Sequence, residues 1–180
     1  MLSFKPGGYV PNYHADRIET LQAQDNAPPT STDPMVKALR VYMHHKFLNI
    51  LMLEDDCRQD KNIQSLRTMR TSVYQLKTLV YIMEHKYDQK TVKKAEKRLR
   101  QLIKRLDSVH ELDVMMRDLL HYGAGLVQRM TIASLVAHLD AQRLLAREKL
   151  IKYMDSQKYH KFLDRFQEFL LAPADDVLNL

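Results

Sequence analysis

The chain has 180 residues, a mass of 21.2 kDa and a formal net charge of +6. That is the size of one ordinary domain, or one domain with a tail. Hydrophobic residues at 45% and charged ones at 28% match a folded globular chain rather than a disordered one. Only 4 glycines and 6 prolines are present, too few for the many tight turns of an all-β fold. The longest nearly apolar stretch, Phe47 to Leu53, is broken by Asn49 and is too short to span a bilayer. The opening run Met1-Leu2-Ser3-Phe4-Lys5-Pro6-Gly7-Gly8 lacks the apolar core of a secretory signal, so neither export nor membrane anchoring is expected. A single cysteine, Cys57, excludes an internal disulfide framework and suits a reducing cytoplasm.

Residues 1–33 read as a flexible N-terminal tail, because Gly7-Gly8, Pro11-Asn12 and Asn26-Ala27-Pro28-Pro29 break any period. A short helical piece around Ile18 to Gln24 is allowed within it. Asp33-Pro34 is a helix start, with an acceptor side chain followed by a proline at the first helical position. The pattern is helical from there through the bundle region, residues 34–171. A first helix over 34–55 offers Val36, Leu39, Val41, Met43, Phe47, Ile50 and Leu51 to the core. Asp60 or Asn62 caps a second, whose stripe is Leu66, Met69, Val73, Leu76, Val80 and Met83. Asp88 caps a third, with Val92, Ala95, Leu99, Leu102, Leu106 and Val109 continuing through Leu112, Met116 and Leu119 to Gly123 and Gly125. A fourth, over 127–154, carries Ile132, Leu135, Leu139, Leu144, Leu150 and Ile151. Asp155 or Ser156 restarts a fifth that ends near Leu171, and residues 172–180 are a C-terminal tail. Spacings of three and four with short connections predict an all-α, antiparallel bundle of four to five helices.

The charge is not evenly spread. Residues 58–105 hold 14 basic and 4 acidic groups, while every other stretch is neutral or negative. Such a block is an electrostatic footprint for a polyanion, or else one solvated helical face. At about 100° per residue, Arg67, Arg70, Tyr74, Lys77, Tyr81 and His85 share one arc of the second helix. Lys90, Lys93, Lys97, Arg100 and Lys104 form a line on the third, and Lys94, Arg98 and Arg105 occupy its other flank. If both basic flanks face one side, the hairpin carries a positive groove. A phosphate polymer suits it, since arginine holds two oxygens of one phosphate and lysine acts as a mobile point charge. Nucleic acid fits the same electrostatics less well, because no sheet with stacking aromatics is apparent.

No catalytic constellation is visible. The adjacent His44 and His45 point in different directions, and the pairs His110/Asp113 and Asp118/His121 are local hydrogen-bond partners more readily than metal ligands. Cys57 sits beside Glu54-Asp55-Asp56, which disfavours its thiolate. No metal, cofactor or enzymatic activity is expected.

Several blocks resemble the conserved histidine α-helical domain, CHAD, in the right order. Ile63-Gln64-Ser65-Leu66-Arg67-Thr68-Met69-Arg70 is similar to its opening motif, with Gln64 where the family has its signature His. Arg67 is kept, and Thr71-Ser72 stand where a basic pair is usual. Leu99 to Leu106, followed by His110-Glu111-Leu112-Asp113-Val114, resembles the second block, with His110-Glu111 in place of Arg-Asp. Leu139-Asp140-Ala141-Gln142-Arg143, Ala146-Arg147 and Ser156-Gln157-Lys158-Tyr159 are similar to the third. The resemblance covers residues 34–171 and corresponds to one of the family's two four-helix halves, so the chain is either a fragment or a single half that a homodimer would complete. It implies non-catalytic binding of inorganic polyphosphate in a basic cleft, in the cytoplasm or on polyphosphate and storage granules. The residues that would hold the polymer are Arg67, Arg70, Lys77, Lys93, Lys97, Arg100 and Lys104. The rivals are a structural module that no longer binds, and a nonspecific nucleic-acid binder.

Overall fold

The computed structural model describes residues 14–24, 34–84, 89–123 and 129–171. Among them are six helices and no strand: α1 (Ala15–Gln24), α2 (Pro34–Gln59), α3 (Ile63–Ile82), α4 (Gln89–Gly123), α5 (Arg129–Met154) and α6 (Gln157–Leu171). The all-α bundle expected from the periodicity is what forms. The stripe of α3 is buried at every expected position, Leu66, Met69, Val73, Leu76, Val80 and Met83. It meets Met43, Phe47, Ile50 and Leu51 of α2 and Leu99, Leu102, Leu106 and Val109 of α4 in one core. Narrow stripes on successive helices force these side chains inward together, because any other arrangement would leave their apolar area in water.

Each helix boundary has a local cause. Asn62 caps α3, its side chain accepting from the Gln64 amide at 2.8 Å. α2 ends with Asp60 in the left-handed region at φ 54°, and the Lys61 amide reaches back to the Asp56 carbonyl at 3.2 Å, a Schellman closure. Ser156 starts α6 by accepting from the Tyr159 amide through its hydroxyl, at 3.3 Å. The starts expected at Asp33 and Asp88, the glycine at 125, His85 and the tails before residue 14 and after residue 171 lie outside the described residues.

Three expectations change. Residues 15–24, placed in the tail, form α1, which packs on the bundle and buries Leu21 in the common core. His14, just ahead of it, is buried too. Val41, read as core, is exposed, because α2 turns its Met43-Phe47-Ile50 side inward and Val41 away. Leu135 and Leu144 of α5 are also exposed, and no described side chain of α5 is buried before Ala146. Leu144 follows Arg143, which meets Asp60 and Asp113, and lies on the outer side of α5. For Leu135 the reason is length. α4 has 35 residues and α3 only 20, so the α4–α5 hairpin runs on past the ends of α2 and α3.

α6 lies antiparallel to α2, with Phe166 against Phe47 at 5.1 Å between ring centroids. Arg40 of α2 closes the far end of α6 by donating to the Leu170 carbonyl at 2.9 Å.

Candidate functional site

α3 and α4 pack as an antiparallel pair, and their polar contact fixes how the basic faces sit. Arg70 of α3 donates through Nε to Asp107 of α4 at 2.5 Å, and the Tyr74 hydroxyl donates to the other oxygen of the same carboxylate at 2.7 Å. The Arg70 guanidinium also lies over the Tyr74 ring, 5.0 Å from its centroid. Asp107 thereby pulls the Tyr74 phenol above its ordinary value, chiefly through that hydrogen bond. With residue 70 opposite 107 in an antiparallel pair, Arg67 stands level with His110 and Lys77 level with Arg100.

His110 confirms the register. Burial, then the positive charges of Arg70 and Arg67, hold its imidazole below the ordinary value, against the opposing pull of Asp113 and Asp107. Arg67, Arg70, His110 and Asp107 are therefore one cluster on the α3–α4 seam. The Arg67 Nε, the His110 Nδ1 and one Asp113 oxygen are shut off from solvent and meet no hydrogen-bond partner among the described residues.

Of the seven residues expected to hold a polyanion, Arg67, Arg70 and Lys77 lie half-buried on the α3 side, and Lys93, Lys97, Arg100 and Lys104 are exposed on α4. At about 100° per residue, Arg100 and Lys93 lie about 20° and 40° from the direction of Asp107, the direction that meets Arg70. Lys104 and Lys97 lie further round, at about 60° and 80°. Two of the seven are already ion-paired: Arg70 with Asp107, and Arg100 with Glu96 at 3.1 Å. Lys93, Lys97 and Lys104 meet no carboxylate among the described residues. The other α4 flank differs. Arg98 and Arg105 are half-buried there; the Arg98 guanidinium donates to Gln101 at 3.0 Å, and its carbonyl accepts at 3.2 Å from the hydroxyl of Tyr153 on α5, whose phenol burial pushes up to about 12.

Charge-based reading alone missed the acidic partners. Glu96 and Arg100 are four apart on one helix, a spacing that pairs. Asp107 is seven residues beyond Arg100 and falls in the same line. It carries the opposite sign, so a search for cations passes over it.

The remaining motif residues serve the frame. Asp113 is buried on α4 and receives the Arg143 Nε at 2.5 Å, while the two terminal nitrogens of Arg143 grip Asp60 at 2.7 and 2.8 Å. Arg147 pairs with Asp60 at 2.9 Å and donates to the Cys57 carbonyl at 2.9 Å. Second-block Asp113 and third-block Arg143 and Arg147 thus lock the end of α2 to α4 and α5. Tyr159 of the third block donates to Glu54 at 2.7 Å. Glu54, the first of the three acids beside Cys57, is fully buried, held also by Arg58 at 2.7 Å and by His14 at 2.9 Å. Burial would raise its carboxyl, but hydrogen bonding and charge from His14, Arg58 and Tyr159 outweigh this and hold it below the ordinary value. Cys57 is buried, and burial first, with nearby acids adding, pushes its thiol up to about 12.

No group of three or more metal-ligating side chains converges among the described residues. No helix among them is long and apolar enough to cross a membrane. No curated protein and no solved structure matches the chain. The CHAD domain profile matches residues 42–179, from within α2 onward, and takes in all three of the blocks read from the sequence. The chain belongs to the CHAD domain family, a family associated with polyphosphate binding.

Proposed function

We propose that this protein binds inorganic polyphosphate without catalysis, along the α3–α4 pair, with Arg67, Arg70, Lys77, Lys93, Lys97, Arg100 and Lys104 as the cations that hold it. The observation that carries the reading is the Arg70–Asp107 contact. It turns the basic arc of α3 toward the flank of α4 on which Arg100 and Lys93 also lie. A flexible chain of phosphates needs charges spaced along a line, and the α4 cations recur every turn or so, about 5.4 Å apart along the axis. Such attraction is largely indifferent to sequence and weakens as salt rises. The polymer and the granules that store it are cytoplasmic, and the reading places the protein with them.

The test is retention on immobilised polyphosphate. The double variant Lys97→Glu/Arg100→Glu is expected to lose retention while its helical circular dichroism is unchanged; full retention overturns the reading. Competition with duplex DNA at fixed salt separates a polyphosphate binder from a general polyanion binder. Equal displacement by both at equal phosphate concentration would favour the nucleic-acid alternative.

A further inference from the structure

The cations of α4 do not stop at its α3 side. Arg100, Lys93, Lys104 and Lys97 lie in one sense of rotation from Asp107, and Lys94, Arg105 and Arg98 continue the same turn at about 140°, 160° and 180°. Among residues 93–105 no acid falls on this half-turn, since Glu96 lies about 20° the other way and is taken by Arg100. The end of the arc borders α5. The Tyr153 hydroxyl donates to the Arg98 carbonyl at 3.2 Å, and the positive charges of Arg98 and Arg105 both act on that phenol, against the rise that burial causes. The Asp113–Arg143 and Arg98–Tyr153 contacts set the α4–α5 register and put Lys149 about level with Arg105. Lys149 is exposed, about 40° round α5 from Tyr153 and on the side away from Arg147, which reaches α2 at the Cys57 carbonyl. Arg58, Arg70 and Arg143 are half-buried, and each meets a carboxylate. Arg98 and Arg105 are half-buried as well, yet meet none among the described residues. Arg98 donates instead to the Gln101 Oε1 at 3.0 Å, which leaves Gln101 its amide nitrogen as a donor. A guanidinium partly withdrawn from water without a counter-charge carries a cost that an arriving anion removes.

We infer that the outer α4–α5 groove is a second phosphate track, and that a polyphosphate chain held along α3–α4 continues round α4 into it. Lys94, Arg98, Arg105 and Lys149 are its cations, and the Gln101 amide is a further donor. The inference rests on the reading under Proposed function and extends it to a face that reading leaves out. Lys97 and Lys104 stand between the two tracks, so the chain passes over lysines and not over acid. A helix is ~10–12 Å across with its side chains, close to the ~8 Å reach of charge in physiological salt, so the two flanks act as one field. The two tracks differ in what the polymer must displace. On the α3 side Arg70 and Arg100 already hold Asp107 and Glu96, and the anion has to compete with both carboxylates. On the α5 side Arg98 and Arg105 have no carboxylate to give up. Their planar forks, two turns apart on one line of α4, can each take two oxygens of a phosphate. A rigid acidic partner would have to wrap half the circumference of a helix to meet the same cations, whereas a flexible polymer bends round it freely.

The experiment is calorimetric titration of the full chain with long-chain sodium polyphosphate at several salt concentrations. Arg98→Gln/Arg105→Gln is expected to lower affinity about tenfold and to make the slope of log affinity against log salt shallower by about 2, one for each cation removed. Helicity and unfolding midpoint are expected to stay near wild type. Lys161→Gln/Arg165→Gln, which removes the same charge from the exposed face of α6, is expected to leave affinity near wild type. An equal loss in that control overturns the groove, because it would assign the effect to net charge alone. Unchanged affinity and slope in a folded Arg98→Gln/Arg105→Gln overturn it too. Should that variant misfold, Lys94→Gln/Lys149→Gln decides, both side chains being exposed, and unchanged affinity there overturns the groove. The Lys97→Glu/Arg100→Glu variant separates this inference from the reading beneath it. Binding lost there but untouched by Arg98→Gln/Arg105→Gln overturns the second track alone. Binding untouched there but lost in Arg98→Gln/Arg105→Gln overturns the α3–α4 reading and keeps the groove. A wild-type chain that takes up no polyphosphate overturns both.

Discussion

Arg143 on α5 and the buried Asp113 on α4, thirty residues apart in the chain, share a part-buried ion pair at 2.5 Å that the same arginine extends to Asp60 at the end of α2. Three helices are joined through one guanidinium, because its planar fork offers donors in two directions at once. Replacing one member of such a pair leaves the other charge without compensation in a dry place. Arg143→Met should therefore cost about 3 kcal/mol in urea denaturation. The double variant Arg143→Met/Asp113→Leu should recover much of that loss, and a double variant as unstable as the single one would show that Asp113 is not the charge left stranded.

Asp60 supplies a second test of the same junction. Its left-handed backbone suits glycine or asparagine, yet an aspartate stands there and meets Arg143 and Arg147. The hydrogen bond from Arg143, opposed by burial and aided by the charge of Arg147, keeps its carboxyl below the ordinary value. Asp60→Asn keeps the backbone preference and loses the charge, and is expected to cost about 1 kcal/mol. Asp60→Gly relieves the backbone while losing the same contacts. If it is more stable than wild type, the ion pairs contribute less than the strain they accompany.

Acid should loosen the α1–α2–α6 corner. Glu54 is held below its ordinary value of 4.5, so the folded chain keeps this carboxylate charged where the unfolded chain would protonate it. Its contribution is complete above pH ~4.5 and is lost as pH falls through the lower folded value. Glu54→Gln should lower stability near pH 7 by about 3 kcal/mol and flatten the fall in stability below pH ~4.5. An unaltered acid limb in the variant would assign the acid sensitivity elsewhere.

Asp107 competes for Arg70 with any arriving anion. Asp107→Asn frees Arg70 and Tyr74 while keeping a side chain of equal size. Under the proposed function it should tighten polyphosphate several-fold and make the affinity more salt-sensitive, both read by titration calorimetry at two salt concentrations. Weaker binding in this variant would mean that Arg70 needs its carboxylate partner for positioning.

The same seam predicts a pH dependence. His110 is held below its ordinary 6.5 by burial and by Arg70 and Arg67, opposed by Asp113 and Asp107, so it is neutral at pH 7. A depressed imidazole contributes stability above pH ~6.5 and loses it as pH falls through the folded value. A bound polyanion would draw a proton onto His110. Affinity should therefore rise from pH 8 to pH 5.5, and His110→Ala should flatten the rise. An equal slope in both proteins would remove His110 from the binding face.

Most of the fold could be read in the sequence because the stripes of α3 and α4 are uninterrupted: Leu66 through Met83, and Val92 through Val109, alternate three and four without a misplaced charge. Val41 misled because apolar residues on α2 fall on more than one side, and periodicity alone does not say which side is inward. Leu144 misled in the same way, and Leu135 for another reason. Its spacing is helical, but whether a helical face is covered depends on how far its neighbours reach, a property of four lengths together. The helical piece around Ile18 to Gln24 was legible, but its docking on the bundle was not, because its anchor, His14 against Glu54, joins residues forty apart that carry no local signal. Of the candidate site, the cations were legible as a run of charge. Their carboxylate partners were not, because Asp107 and Arg70 lie on different helices and meet only once the hairpin closes.

The contact between Arg17 and Asp164 spans 147 positions, and Glu54 waits for Tyr159 across 105. A ribosome adding about 5–20 residues each second therefore takes roughly 7–30 s between making Arg17 and making its mate. Through that interval Leu21 has no finished groove to enter, and Glu54 lacks the Tyr159 hydroxyl that helps hold it. The corner of the molecule that begins first is completed last, which makes it the place where a nascent chain most needs shelter.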